Sequence, residues 1–524
     1  MLDLPPPVEC GFPEKFSEWR PQQLIAIENS VDSEKRFIGD GLTTGSGKSL
    51  RAIGEAVLTG SRALYLTASK GLQDQISTEF RSIGIADVKG KNAYDCRGYS
   101  SFSCEEGQML RCAHIKAGTC PHTQATTKAS KAPIVSSNYH CYITNHMTPR
   151  QEGPPWGDFD LLILDEAHEA SDILSDVVAM TYSSIEILDI LQARWPDETP
   201  DDWVRFAKEQ LGRLRAETKQ LELSFADTQP DQTSARRLIY MKRLLTKLER
   251  TAQLCGQADW LIERTEHGVK LEALWSTPYT ERYLFRGTKK ILLMSAMLTK
   301  KTTGLLGVSD EELSFHEYPS PFNPKRSPLY LLPAPQVGFR IKPEQEKEWY
   351  EWMDTISLLR ADRKGIIHSV SFQRGRQIQQ HSKSAQYMLV PEQGNGSTAR
   401  MVEQFKRSAP PRILVSPSVT TGYDFPDDQC RYQIHCKLPM PDIRSPILNA
   451  RCKSDTDYQA YLTIMKLIQA CGRGTRSATD WCENFLPDGH HQWFFRKNWK
   501  LIPLWFQRQI TKAAQVPPPM KWAA

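Results

Sequence analysis

Gly45, Ser46, Gly47, Lys48 and Ser49 stand in a row that can hold phosphate. Glycines let backbone N–H groups turn inward around an anion with no Cβ in the way. Lys48 brings a positive charge to the outer phosphates of a nucleotide, Ser49 offers a hydroxyl to Mg²⁺, and Thr44 precedes them on the same loop. The loop departs from the usual pattern at its start, where Leu42 takes the first glycine's place and Gly41 falls one position early. Asp165 and Glu166 form the second group: adjacent carboxylates at the end of the apolar run Leu161–Leu164. Asp165 can hold Mg²⁺ directly or through water, and Glu166 can orient an attacking water or take its proton. Arg473 and Arg476, three apart beyond a helical stretch, can neutralise charge developing on a transferred phosphoryl group. Each group alone has a plainer reading: a flexible turn, an acidic helix cap, two solvated arginines. Together and in this order they predict hydrolysis of a nucleoside triphosphate.

A different chemistry is carried by Cys96, Cys104, Cys112 and Cys120, each eight positions after the last. Thiolates are soft ligands that suit Zn²⁺ or an iron–sulfur cluster. Paired Cys-x-x-Cys knuckles would point to zinc; even spacing leaves both metals open. His114 and His122 lie inside the same stretch as alternative ligands. The other eight of the twelve cysteines show no grouping and read as small buried hydrophobes.

The elements that must position these residues follow from hydrophobic periodicity. Apolar runs Arg36–Gly39, Ala63–Thr67, Leu161–Leu164 and Ile291–Met294 read as buried parallel strands, as do Gly365–His368 and Ile413–Val415. Helical stretches alternate with them, so the fold class is α/β, with two doubly wound parallel-sheet domains meeting near residue 325. The helix expected from about Leu50 points its positive end at the phosphate loop. Residues 173–267 read as helix throughout. Val204, Ala207, Leu211, Leu214 and Leu221, then Leu238, Met241, Leu245, Leu248 and Ala252, form two apolar stripes. They predict an antiparallel helical hairpin inserted into the first domain. The expected division is 1–90, 137–172 and 268–325 for the first domain, 91–136 for the cysteine module, 173–267 for the hairpin and 326–524 for the second domain.

A chain of 524 residues is too long for one core. With 40% hydrophobic and 24% charged residues it has ordinary globular composition. The formal charge of +5 permits a polyanionic partner without requiring one. No apolar run is long enough for a membrane helix, and the N-terminus lacks the marks of a secretory signal. A cytoplasmic location is expected, nucleoid-associated or, in a eukaryote, nuclear.

The motifs together resemble superfamily 2 helicases of the DEAH-box kind, and more closely the XPD/DinG iron–sulfur helicases. Besides the loop and Asp165-Glu166-Ala167-His168, the likeness rests on Trp19 to Gln23, Thr67 to Gln73, Ser295 to Leu298, Gly365 to Ser371, Thr421 to Pro426 and Gln469 to Arg476. It implies two RecA-like motor domains that hydrolyse ATP between them, Arg20 and Gln23 sensing the adenine. Lys48, Asp165, Glu166, Arg473 and Arg476 would carry the chemistry, while His168, Gly422, Asp424 and Gln469 would complete the nucleotide site. It also implies that the four cysteines hold a 4Fe–4S cluster, with Zn²⁺ as the alternative, and that the hairpin is the family's arch. The implied partner is single-stranded or forked DNA, more than RNA, followed 5′ to 3′ by a monomeric motor with no membrane contact. Tyr94 and Tyr99 are candidates for stacking on bases. Met297 stands where the family has a threonine that couples hydrolysis to movement, which favours a rival reading: a translocase that scarcely unwinds. A second rival is a non-enzymatic, zinc-stapled nucleic-acid-binding protein.

Overall fold

The computed structural model describes residues 4–43, 45–147, 156–197, 199–225, 231–338, 340–394, 396–420, 423–475 and 479–522. The chain forms two compact units: Met1–Gly41, Gly47–His316 and Arg444–Arg451 make the first, and Leu42–Ser46, Glu317–Ile443 and Cys452–Ala524 the second.

Among the described residues, ten strands belong to the first unit: β1 (Phe37–Gly41), β2 (Ala63–Thr67), β3 (Ala86–Asp87), β4 (Ile134–Asn138), β5 (Leu161–Asp165), β6 (Met180–Ser183), β7 (Trp260–Thr265), β8 (Gly268–Ala273), β9 (Lys290–Ser295) and β10 (Leu313–Glu317). Seven of them make a sheet in the order β10-β1-β9-β5-β2-β4-β3. The β1–β9, β9–β5, β5–β2, β2–β4 and β4–β3 pairs all run parallel. Side-chain alternation explains the helical layers. Leu64, Leu66, Leu162 and Leu164 pack into one core cluster, while Ala63, Tyr65, Leu161 and Ile163 pack into another with Ile53 and Ala56. Each strand thus buries both faces, as its unbroken apolar run requires.

The helix after the phosphate loop spans Lys48–Thr59 and is anchored by a buried ionic group. Arg51 lies 2.9 Å from Asp40 on β1 and pairs with Glu55, and Ser30 donates to Glu55 at 2.8 Å. Arg51 and Asp40 are fully buried, so neither charge is tolerable without the other.

The expected hairpin is present as helices Pro200–Leu223 and Gln232–Leu254. Arg215 reaches Glu249 and Lys242 reaches Glu222, a pairing that runs antiparallel. Ala207, Leu214, Leu238, Met241 and Leu248 are buried, as the stripes predict. The reading of 173–267 as helix throughout is corrected. Strands β6 and β7 at its edges join β8 in an antiparallel sheet of order β6-β8-β7. Along β6, Met180 and Tyr182 are buried while Thr181 is exposed: a period of two, not 3.6.

The second unit holds β11 (Leu329–Leu331), β12 (Lys364–His368), β13 (Met388–Leu389), β14 (Arg412–Ser416), β15 (Tyr432–His435), β16 (Glu483–Leu486) and β17 (Ile510–Lys512). Their order is β13-β14-β12-β15-β16-β11-β17, with every neighbouring pair parallel. Both units therefore have the doubly wound α/β architecture expected from the strand runs. Among the described residues no helix is long and apolar enough to cross a membrane.

Candidate nucleotide site and four-cysteine module

Gly47, at φ +81°, caps the Lys48–Thr59 helix in the left-handed region, and Gly45 at φ +76° shares it. A Cβ on Gly47 would collide with the Gln23 amide, so glycine is needed there on two counts. Gln23 is itself buried. Its side chain accepts from the Arg20 backbone N–H at 2.9 Å and donates to the Gly47 carbonyl at 2.9 Å, fastening the Pro21–Asp32 helix to the loop. Ser46 N–H donates to Thr43 at 3.2 Å within the tight turn before Gly47.

β5 delivers Asp165 and Glu166 beside this loop. Glu166 is a non-glycine residue at φ +49°, a strained conformation that recurs where function demands a fixed orientation. Lys48 Nζ lies 3.5 Å from Glu166 Oε1. Ser295, at the end of β9, donates to Glu166 Oε2 at 3.2 Å and sits 2.8 Å from His168 Nδ1. Its hydroxyl also accepts from the buried Met297 N–H at 3.0 Å. Burial and the Glu166 charge push Asp165 up to about 6, against the pull of Lys48 and the Tyr65 hydroxyl. Burial opposes the charge on Glu166 too, yet Lys48, His168 and Ser295 hold it well below the usual carboxylate range. A proton arriving at the pair therefore settles on Asp165, and Glu166 stays ionised. A cation at Asp165 would reverse its shift.

Lys48, Ser49, Asp165, Glu166 and His168 are thus brought together within the first unit, as their types predict. Arg473, Asp424 and Gln469 belong to the second unit. There Arg473 Nη1 lies 3.2 Å from Asp424 Oδ1 and donates to the Tyr423 carbonyl, and its Nε donates to the Gln469 carbonyl. Thr44, Gly422 and Arg476 lie outside the described residues. Two contributors escaped sequence reasoning as site residues, Tyr65 and Tyr139, while Ser295 entered it as the first residue of the Ser295–Leu298 motif. Tyr139 donates to the Asp165 main-chain oxygen at 2.8 Å, and Tyr65 lies 2.9 Å from Asp165 Oδ2. The available signal was a lone phenol within the aliphatic run Ala63-Leu64-Tyr65-Leu66.

Two helicase families match the chain: the DEAD/DEAH box helicase family over residues 20–194, and the helicase C-terminal domain over 366–509. The chain thus carries, in this order, one segment similar to each of two helicase families. An XPD helicase structure superposes with a TM-score of 0.62 at 14% identity, covering 94% of this chain and 99% of that one. The structure of S. tokodaii Xpd4 gives 0.59 at 12% identity, over 94% of this chain and all (100%) of that one. An apo XPD structure gives 0.56 at 12% identity with the same coverage, 94% and 100%. No curated protein matches. The RecA-like fold of both XPD-like units is thereby shown.

The four cysteines stand as two neighbouring pairs within the first unit. Cys104 and Cys120 have their sulfurs 3.6 Å apart, and Cys96 and Cys112 neighbour each other where both face Gly107. Short helices meet here: Cys104 opens Cys104–Met109, while Cys112 and Cys120 are the N-caps of Ala113–Lys116 and Pro121–Lys131. Burial raises the Cys104 thiol to about 11, with Cys120 adding to it. Burial works the same way on Cys120, but N–H groups of Thr123 and His122 and the Thr123 hydroxyl bring it below its ordinary value. Space around the sulfurs is kept by glycine. A Cβ on Gly98 would stand 2.6 Å from Cys112 Sγ, and one on Gly107 would strike Cys96 Sγ. Among the described residues no three His, Cys, Asp or Glu side chains surround a point as ligands to a single ion. Four thiols and a glycine-kept cradle are a soft donor set, of the kind that Zn²⁺ and iron–sulfur groups take.

The module leans on the hairpin. Leu110 packs with Ala235, Leu238 and Ile239. Lys242 donates to the Met109 carbonyl at 2.5 Å, and Arg243 reaches Glu105 and Glu106 at 3.4 and 3.6 Å.

Proposed function

We propose that this chain is an ATP-driven helicase that advances 5′ to 3′ along single-stranded DNA. The observation that carries the reading is the grouping in the first unit: Lys48 3.5 Å from Glu166, with Ser49 and Asp165 tied to one buried phenol. Lys48 would neutralise the outer phosphates, Ser49 and Asp165 would hold Mg²⁺, and Glu166 would polarise the attacking water. Mg²⁺ supplies charge compensation on the phosphates when bound. Glu166 is suited to its part because it stays ionised while Ser295 and Lys48 fix its two oxygens. The arginines Arg473 and Arg476 would steady the charge that develops on the phosphoryl group.

Cys96, Cys104, Cys112 and Cys120 would hold a 4Fe–4S cluster, which would staple a segment poor in apolar residues. Polarity and the preference for DNA rest on the resemblance to XPD/DinG helicases. Lys437 and Lys466 line a cavity of ≈ 250 Å³ with His368, His435 and Gln469 in the second unit, and they suit strand phosphates. Met297, buried where the family has threonine, favours a second reading in which ATP drives movement with little strand separation.

The test is an ATPase and unwinding assay on forks with 5′ or 3′ tails, in DNA and in RNA, with Lys48→Ala alongside. DNA-stimulated hydrolysis abolished by Lys48→Ala, with unwinding from a 5′ tail, is expected. Hydrolysis without strand separation supports the second reading. Equal activity in Lys48→Ala defeats both.

A further inference from the structure

Tyr65 lies on β2, and its phenol is wholly buried between the two residues expected to touch Mg²⁺. Its oxygen is 2.9 Å from Asp165 Oδ2 and 3.2 Å from Ser49 Oγ. A phenol has one proton, and a carboxylate is the stronger acceptor. The phenol is placed to donate to either oxygen; its proton goes to the Asp165 carboxylate, with Ser49 Oγ held in contact with the phenol oxygen. Two consequences follow for Ser49 and Asp165. Contact with the phenol oxygen holds Ser49 Oγ at a fixed place beside Asp165. With one oxygen held by the phenol, Asp165 cannot swing away on its χ angles.

The alternation along β2 makes this arrangement specific. Ala63 and Tyr65 point to the face that carries the Lys48–Thr59 helix, whereas Leu64 and Leu66 point to the other. On this strand it is the side chain of Tyr65 that meets both ligands.

We propose that Tyr65 is a positioning residue for the nucleotide's Mg²⁺, a relay that fixes Ser49 and Asp165 at once. The proposal rests on the nucleotide-site reading above and deepens it. Partners one step removed from a metal typically change its affinity by roughly 10- to 100-fold.

The experiment measures ADP binding by calorimetry in EDTA and across a Mg²⁺ titration, for the full chain and for Tyr65→Phe, Ser49→Ala and the double variant. Tyr182→Phe is the comparator: it removes another fully buried phenol, bonded to Thr251 at 2.7 Å, that reaches none of these residues. We expect Tyr65→Phe to keep its ADP affinity in EDTA. Its half-saturating Mg²⁺ should rise roughly 10-fold or more, while that of Tyr182→Phe stays at the native value. The double variant should lose less than the sum of the two single losses, because the phenol acts partly through Ser49. An unchanged Mg²⁺ requirement in Tyr65→Phe overturns the relay. So does a Tyr65→Phe protein that is unfolded by circular dichroism or has lost ADP affinity in EDTA as well, since the phenol is then a packing group. If the native chain binds no ADP under either condition, the nucleotide-site reading falls and the relay falls with it.

Discussion

Glu166 and Lys48 are close enough to neutralise each other, but their tasks differ, and substitution separates them. Glu166→Gln keeps the side-chain size and the Ser295 contact but removes the base. Its hydrolysis rate should fall roughly 10²- to 10⁴-fold while ADP affinity stays near the native value, a split that calorimetry and steady-state kinetics resolve. At Gly47 the backbone itself is at stake. Gly47→Ala forces a Cβ into a left-handed residue already in contact with Gln23. The conformational penalty alone is about 1–2 kcal/mol. A lower thermal midpoint and weaker ADP binding in EDTA are the expected readouts.

Element-scale consequences concentrate where segments lean on each other. Leu238 is buried on the hairpin against Leu110 of the cysteine module. Leu238→Ala removes that wedge at a cost of roughly 2–5 kcal/mol. Hydrogen exchange should then quicken in both the 96–120 segment and the hairpin helices; a change confined to the hairpin would show that the module stands without it. In the second unit, β12 and β15 end in His368 and His435, two buried, stacked imidazoles with centroids 4.9 Å apart. Burial lowers His368 from the ordinary 6.5 to about 4, and burial with the neighbouring His368 takes His435 well below that ordinary value. Unfolded histidines protonate first as pH falls, so proton uptake favours the unfolded chain. Stability is full above pH 6.5 and is lost as pH drops from there toward 4, by about 1.4 kcal/mol per pH unit for each histidine still neutral in the fold. Thermal melts at stepped pH should show the second unit weakening across that window, and His435→Gln should blunt the slope.

For the molecule as a whole, a formal charge of only +5 means that strand binding must come from local cationic surfaces rather than net attraction. Affinity for a single strand should fall steeply with salt and vary little with base sequence, as contacts to phosphate dictate. Anaerobically purified protein should carry iron and sulfide in equal amounts, and Cys112→Ser should lower both while sparing ADP binding by the Lys48 site. Stoichiometric zinc with no iron would instead assign the four thiols to the alternative metal.

Residue types and spacing were enough to read much of this directly. That Lys48, Ser49, Asp165 and Glu166 lie together was legible from their types and order, and the strand runs because a doubly covered sheet must be apolar on both faces. The hairpin stripes survive for the same reason, since a 3.6-residue period has no other use. Tertiary structure alone decided what depends on approach between distant segments. β6 and β7 form only because β8 supplies their partner edge, so a local reading extends helix across them. Tyr65 looks like one more core side chain until Ser49 and Asp165, 16 and 100 positions away, are seen at its hydroxyl. A hydrogen bond between remote residues leaves no periodic trace along the chain, and that is why only the folded arrangement reveals it.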